Sequence, residues 1–189
     1  DFTTPESTTQ NLKNAITFHK PIVIGTTGLS KKIDELILNN SKKIPILKSA
    51  NMSIGVNLLL NLVENASKAL TAEQYDVEIL ETHHRYKVDS PSGTALALGQ
   101  TVAKARNVNF EDKKILDRTS KKLERKIGNI GFAVLRAGQI AGEHSVNFVS
   151  DNDQLELIHK AKNRTIFVSG AIKAAEWLIK QKPGIYSMK

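Results

Sequence analysis

Glu81-Thr82-His83-His84-Arg85-Tyr86-Lys87-Val88-Asp89-Ser90-Pro91-Ser92-Gly93-Thr94-Ala95 sets two imidazoles, an amine and a hydroxyl-glycine turn between two regular patterns. Upstream, Tyr75, Val77 and Ile79 alternate with Asp76 and Glu78, the period of a half-buried strand running toward His83. Downstream, Ala95, Leu96, Leu98, Val102 and Ala103 recur at helical spacing, with Pro91, Ser92 and Thr94 supplying start and cap signals. The imidazoles therefore belong near the carboxyl end of a strand, and Ser92-Gly93-Thr94 opens a helix. Free backbone N–H groups at a helix start, a glycine and two hydroxyls suit a carboxylate or phosphate. His83 and His84 are adjacent, so on an extended chain they point to opposite sides and take different roles. One can transfer a proton near neutral pH while the other binds charge, and Lys87 can donate a proton or hold an anion.

The remaining composition narrows the classes. The chain has 189 residues, 40% of them hydrophobic, enough for one large domain or two small ones. It has no cysteine, which excludes disulfides, thiolate metal sites and a cysteine nucleophile. Neither a membrane-length apolar run nor a signal-peptide pattern is found, and a soluble cytoplasmic protein is expected. The net charge of +8 suits an anionic cofactor or dicarboxylate as well as a nucleic acid. Its distribution separates these: the pairs Lys31-Lys32, Lys42-Lys43, Lys113-Lys114 and Lys121-Lys122 are scattered and read as solvated surface, so no nucleic-acid partner is expected.

Along the chain, Asp1-Phe2-Thr3 reads as a strand end, followed by Thr4 as N-cap, Pro5 at the first helical position and a helix to about Phe18. Pro21 to Ile24 and Ile44 to Leu47 read as short buried strands around a helix capped by Ser30. This alternation predicts a parallel sheet, with ligands beyond its carboxyl ends at Gly25-Thr26-Thr27 and Ser49-Ala50-Asn51-Met52. A helix over Ile54 to Leu70 follows, then the strand to His83, the helix from Thr94 to about Arg106, and a polar loop over Asn107 to Lys126. Ile130 to Arg136, Glu143 to Val149 and Gln154 to Lys160 read as three antiparallel meander strands, and Ile166 to Lys180 as a terminal helix stopped by Pro183-Gly184. The expected fold is α/β: a partial parallel sheet over 1–53, an α+β domain with a mixed, largely antiparallel sheet over 54–163, and a helix over 164–189 returning to the first domain. His144 and His159 lack the spacing of a metal site and are expected to be structural.

The central run resembles the signature of dihydrodipicolinate reductases, Glu-x-His-His-x-x-Lys-x-Asp-x-Pro-Ser-Gly-Thr-Ala, at every fixed position; Thr82 and Ser90 stand where alanine is more usual. Asp1-Phe2-Thr3, Gly25-Thr26-Thr27-Gly28, Ser49-Ala50-Asn51 and Arg136 to His144 also resemble family segments in order. The resemblance implies a partial Rossmann-like sheet and reduction of 4-hydroxy-tetrahydrodipicolinate to tetrahydrodipicolinate with NADH or NADPH, in the diaminopimelate route to lysine. It implies His83 as acid/base, Lys87 as proton donor, and His84, Ser92, Gly93 and Thr94 as the holders of a substrate carboxylate. Gly25, Thr26, Thr27, Ser49, Ala50, Asn51 and Met52 would approach the nicotinamide, Met52 replacing the more usual phenylalanine. Arg164 is a further, weaker candidate for contact with cofactor or substrate. Arg136 to His144 and Gln154 to Lys160 would belong to a sheet that packs against other subunits to build a homotetramer.

No Gly-x-Gly-x-x-Gly occurs, so a first portion is expected to be missing and this chain alone to bind a nicotinamide cofactor weakly or not at all. Two alternatives compete: Lys87 as a Schiff-base lysine, and a basic binding module in which the His-His loop is a contact surface.

Overall fold

The computed structural model describes residues 1–119 and 124–188; Lys121-Lys122 lies outside them. In chain order the elements are α1 (Pro5–Thr17), β1 (Ile22–Ile24), α2 (Lys31–Asn40), β2 (Pro45–Lys48), α3 (Ile54–Ala69), β3 (Asp76–His83) and α4 (Gly93–Ala105). Then come α5 (Phe110–Lys113), β4 (Lys114–Ile115), β5 (Ile130–Arg136), β6 (Gly142–Val149), β7 (Gln154–Ala161), α6 (Thr165–Leu178) and β8 (Gly184–Tyr186). They fall into two compact units, Asp1–Asn57 with Thr165–Lys189, and Leu58–Arg164.

The first unit holds a parallel sheet of order β1-β2-β8. Its strands are apolar on both faces, as strands covered twice must be. Ile24 and Ile46 pack with Leu12 of α1 and Ile37 of α2 in one cluster, and Leu47 packs with Ala174 and Leu178 of α6 in another. Local chemistry starts the helices as expected: Thr4 accepts the Ser7 N–H ahead of Pro5, and Ser30 accepts that of Ile33. The strand β8 was not foreseen, because Gly184-Ile185-Tyr186 is too short to show a period; its pairing to β2 makes it a strand.

The second unit holds a mixed sheet of order β4-β5-β3-β6-β7. The three strands after Asn129 are not a meander. β3 lies between β5 and β6, parallel to the first and antiparallel to the second, so two strand pairings are parallel and two antiparallel. Residues 137–141 cross the carboxyl end of β3, anchored by Ala137 N–H to the His83 carbonyl (2.9 Å) and Arg85 N–H to the Gly138 carbonyl (3.2 Å). A connection of this length can pass over a strand, whereas a two-residue turn would have kept β5 and β6 neighbours.

Val77 and Ile79 of β3, Ile130 of β5, and Val146 and Phe148 of β6 are buried on the face that α4 covers. Gly99 lets the helix come close: a Cβ there would sit 2.5 Å from the Phe132 ring. The stretch expected to be a plain loop contains α5 and β4. Asn109 caps α5 by accepting the Glu111 N–H, Phe110 packs edge-on against Phe132 at 6.2 Å, and the Lys114 ammonium stands 5.7 Å over the Phe110 ring rather than in open solvent. Phe148 is fully buried, so Phe148→Ala is expected to cost about 3 to 5 kcal/mol of unfolding free energy in urea titration.

Candidate proton-transfer and anion site

The alternation of β3 that buries Val77 and Ile79 continues through Glu81 and His83, so a carboxylate and an imidazole point to the core side of the sheet. Glu81 is 2% exposed. A carboxylate there stays ionised only if its oxygens are satisfied. Arg136 donates from both terminal nitrogens, to Oε2 at 2.8 Å and Oε1 at 2.7 Å, the fork geometry that suits a carboxylate. Oε1 also accepts the Ser92 N–H at 2.9 Å, and Oε2 lies 2.5 Å from His83 Nδ1. The parallel register places Arg136 beside His83, within reach of Glu81. Burial pushes the Glu81 carboxyl up, but Arg136, His83 and the Ser92 N–H together outweigh it and hold the group below its ordinary range.

An ionised Glu81 can only accept, so the hydrogen of neutral His83 sits on Nδ1, leaving Nε2 as the atom able to take up a proton. Nε2 faces Gly142, where a Cβ would come within 2.9 Å, and the φ of +152° at that residue also favours glycine. Burial lowers the His83 pKa, with Lys87 and Arg136 adding to the effect and Glu81 opposing it. The His144 ring stands edge-on to His83 at 5.1 Å. His144 is almost fully buried; burial, then the His83 charge, lowers its pKa to about 4. Its Nε2 is 3.0 Å from Ser92 Oγ, which accepts the Ala95 N–H and so has its own hydrogen to give.

Around this buried core lie the groups able to meet an anion. Lys87 Nζ pairs with Asp89 Oδ1 at 2.7 Å, and the Gly93 N–H also donates to the Asp89 carboxylate. Lys87, then the N–H groups of Asp89 itself and of Gly93, hold Asp89 below the ordinary carboxylate range. Two of the groups expected to bind a carboxylate thus already hold one. Gly93 is exposed with open space beside it, and Thr94 is half-buried. Ser92 differs: its N–H and hydroxyl are both engaged inside the fold, and it is 2% exposed. His84 is half-buried, and its Nδ1 has no partner among the described residues. His144 and His159 face each other across β6 and β7, and the described residues contain no cluster able to hold a metal ion.

In the first unit, Gly25-Thr26-Thr27 and Ser49-Ala50-Asn51-Met52 follow the carboxyl ends of the adjacent parallel strands β1 and β2, where this architecture takes nucleotides. Thr27 and Ala50 are exposed there. Thr26 is buried and its hydroxyl accepts the Thr3 N–H. Gly25 is filled by Phe2, whose ring would meet a Cβ at 2.2 Å. The Asn51 carboxamide oxygen accepts the Ser53 N–H, and Met52 is 4% exposed beside Leu47, Ala174 and Leu178, so both side chains are used in holding the loop. Arg164 is exposed immediately before α6.

Glu81, Arg136, Asp89 and Gly142 lie in the quoted segments but were given no site role from sequence. Glu81 had a readable signal, lying two residues before His83 on one strand face; Arg136 depended on a parallel pairing that no local pattern announces.

The depressed His144 sets a pH dependence of stability. The unfolded chain binds more protons between its ordinary 6.5 and about 4, so stability is complete above that window and falls as pH drops through it. The loss amounts to about 3 kcal/mol. Urea midpoints measured from pH 7.5 to 4 are expected to fall accordingly, and the slope to flatten in His144→Gln.

Residues 1–52 match the family model for dihydrodipicolinate reductase, N-terminus, and residues 55–189 that for dihydrodipicolinate reductase, C-terminus. The chain is similar to the 4-hydroxy-tetrahydrodipicolinate reductase of Zymomonas mobilis, with 46% identity over all of this chain and 74% of the relative. The enzyme of the same name from Chelativorans is 47% identical over all of this chain and 68% of the relative. That of Wolbachia pipientis subsp. Culex pipiens is 51% identical over all of this chain and 70% of the relative. A solved structure of a dipicolinate-bound dihydrodipicolinate reductase from Paenisporosarcina shares the fold, with a TM-score of 0.80 and 24% identity over 99% of this chain and 70% of that one. Matched along its length by both family models and by relatives at this identity, the chain belongs to the dihydrodipicolinate reductase family.

Proposed function

We propose that the chain carries out the proton-handling and substrate-holding part of NAD(P)H-dependent reduction of 4-hydroxy-tetrahydrodipicolinate to tetrahydrodipicolinate, in the diaminopimelate route to lysine. The observation that carries this reading is His83, oriented by a buried carboxylate beside a lysine and an exposed helix-opening turn, in a chain close to relatives of that activity. Bound NADH or NADPH would supply the hydride; Gly25, Thr26, Thr27 and residues Ser49 to Met52 would form the loops at its nicotinamide end, with Thr27 and Ala50 exposed to meet it and the others holding those loops in place. No helix among the described residues is long and apolar enough to cross a membrane, and a cytoplasmic setting is part of this proposal.

The substrate has a hydroxyl that the product lacks: as it leaves as water, one proton goes onto the departing oxygen and one comes off the neighbouring ring carbon. The hydride added to the ring is then matched by one proton, so one proton is consumed overall. His83 Nε2 and the Lys87 ammonium are the proposed proton-transfer groups. His84, Lys87 and the N–H groups at Gly93 and Thr94 take the carboxylate, with Ser92 fixing the turn from inside. Binding then requires Lys87 and Gly93 to exchange the Asp89 carboxylate for that of the substrate. Asp89 is a partner for an ammonium, which favours this role of Lys87 over Schiff-base chemistry.

The family resemblance and the sheet together support a homotetramer. Leu80 and Ile158 lie in one row on the sheet face opposite α4, with Leu135 on the same face; all three are about half exposed. A second copy of this chain would cover them.

Two measurements test these readings. Calorimetry with pyridine-2,6-dicarboxylate is expected to give binding that weakens roughly 10- to 100-fold in a His84→Ala, Lys87→Ala double variant; equal binding by both would place the dicarboxylate elsewhere. Light scattering is expected to give the mass of four chains, and a smaller species for Leu135→Asp with Ile158→Asp; a monomeric parent would end the tetramer proposal.

A further inference from the structure

We infer that Glu81 is a positioning residue for this site: one buried carboxylate fixes the protonation pattern of His83 and the opening of α4 at the same time. The inference rests on the proton-transfer role proposed for His83. Oε2 holds His83 Nδ1 and Oε1 holds the Ser92 N–H, the first donor of the turn that meets the anion. Arg136 clamps both oxygens and reaches on to the Asp89 carbonyl at 2.8 Å, in the loop that carries Lys87. The proton-transfer ring, the turn and the lysine loop are thereby tied to one pair of side chains.

The chemistry of a carboxylate makes this assignment specific. Ionised, it accepts on every lone pair, so His83 must present its Nδ1 hydrogen inward and keep Nε2 for proton exchange. A carboxamide of the same shape has one accepting oxygen and one donating nitrogen. It cannot receive the His83 and Ser92 hydrogens as well as the Arg136 fork. With the amide nitrogen toward the ring, His83 would accept at Nδ1 and carry its hydrogen on Nε2, the wrong form for taking up a proton there. The charged and titratable groups acting on His83 are Glu81, Lys87, Arg136 and His144, and among these Glu81 alone favours its protonated form.

Nitrogen-15 NMR of the imidazoles tests the idea in the unmodified chain and in Glu81→Gln. At pH 8 His83 is expected to carry its hydrogen on Nδ1 in the parent and on Nε2, or on a mixture, in Glu81→Gln, with the His83 titration midpoint lowered in the variant. Turnover in the reductase assay is expected to fall about 10- to 100-fold, because the ring starts in the wrong form. A parent His83 with its hydrogen on Nε2 overturns the proposal, as does a Glu81→Gln chain in which both the tautomer and the midpoint are unchanged. Should Glu81→Gln not fold, the parent spectrum still decides. A parent with the Nδ1 hydrogen in place but no affinity for pyridine-2,6-dicarboxylate would overturn the functional reading and leave the Glu81–His83 arrangement standing.

Discussion

A carboxylate withdrawn from water must be compensated on both oxygens or lose its charge, and Glu81 is withdrawn almost completely. Its compensation comes from three separate parts of the second unit: the guanidinium at the end of β5, the N–H that opens α4, and the ring two residues along its own strand. None of these is a neighbour in sequence except the last. A buried ion pair is poor evidence for net stability, since replacing it by apolar side chains is often neutral or better. What it does provide is a demand that few arrangements satisfy, and so it fixes where β5, α4 and His83 stand relative to one another.

The strand order serves that demand. With β3 between β5 and β6, Arg136 comes alongside His83 in parallel register, while Gly142 and His144 come from the antiparallel side. A meander would have put β5 against β6 and taken the guanidinium away from Glu81. The crossing at residues 137–141 is also what brings Gly142 against Nε2, where any side chain would collide. Two buried imidazoles then sit at 5.1 Å with unlike partners, a carboxylate for His83 and a hydroxyl for His144. The first partner favours the charged form of its ring. The second carries no charge, so burial, helped by the His83 charge and only partly opposed by that of Glu81, takes His144 to about 4.

The two sheets follow different rules of coverage. In the first unit both faces of a parallel sheet are packed by helices, α1 and α2 on one side and α6 on the other, and the strands are accordingly apolar up to Lys48 at the end of β2. In the second, α4 covers one face and leaves Leu80, Leu135 and Ile158 about half exposed on the other. The proposed self-association follows from that asymmetry.

Much of this was written locally. Alternation through Val77 and Ile79, the apolar stripe of α3, the caps at Thr4 and Ser30 and the helix opening at Ser92 are set by residues within a few positions of each other, and they predicted the elements that form. The α/β class and the family were legible for the same reason, since the His-His-x-x-Lys run and its helix start are contiguous. Tertiary structure alone decided the rest. Gly184 to Tyr186 is a strand because β2 lies beside it, Lys114 of the Lys113-Lys114 pair is drawn to Phe110 and Glu111, and Ser92 turns inward to Glu81 and His144 rather than outward to a ligand. The Arg136–Glu81 contact spans 55 residues and exists only because β5 pairs with β3 in parallel, and hydrogen-bond satisfaction of a buried charge is a property of the assembled sheet, which no local pattern encodes.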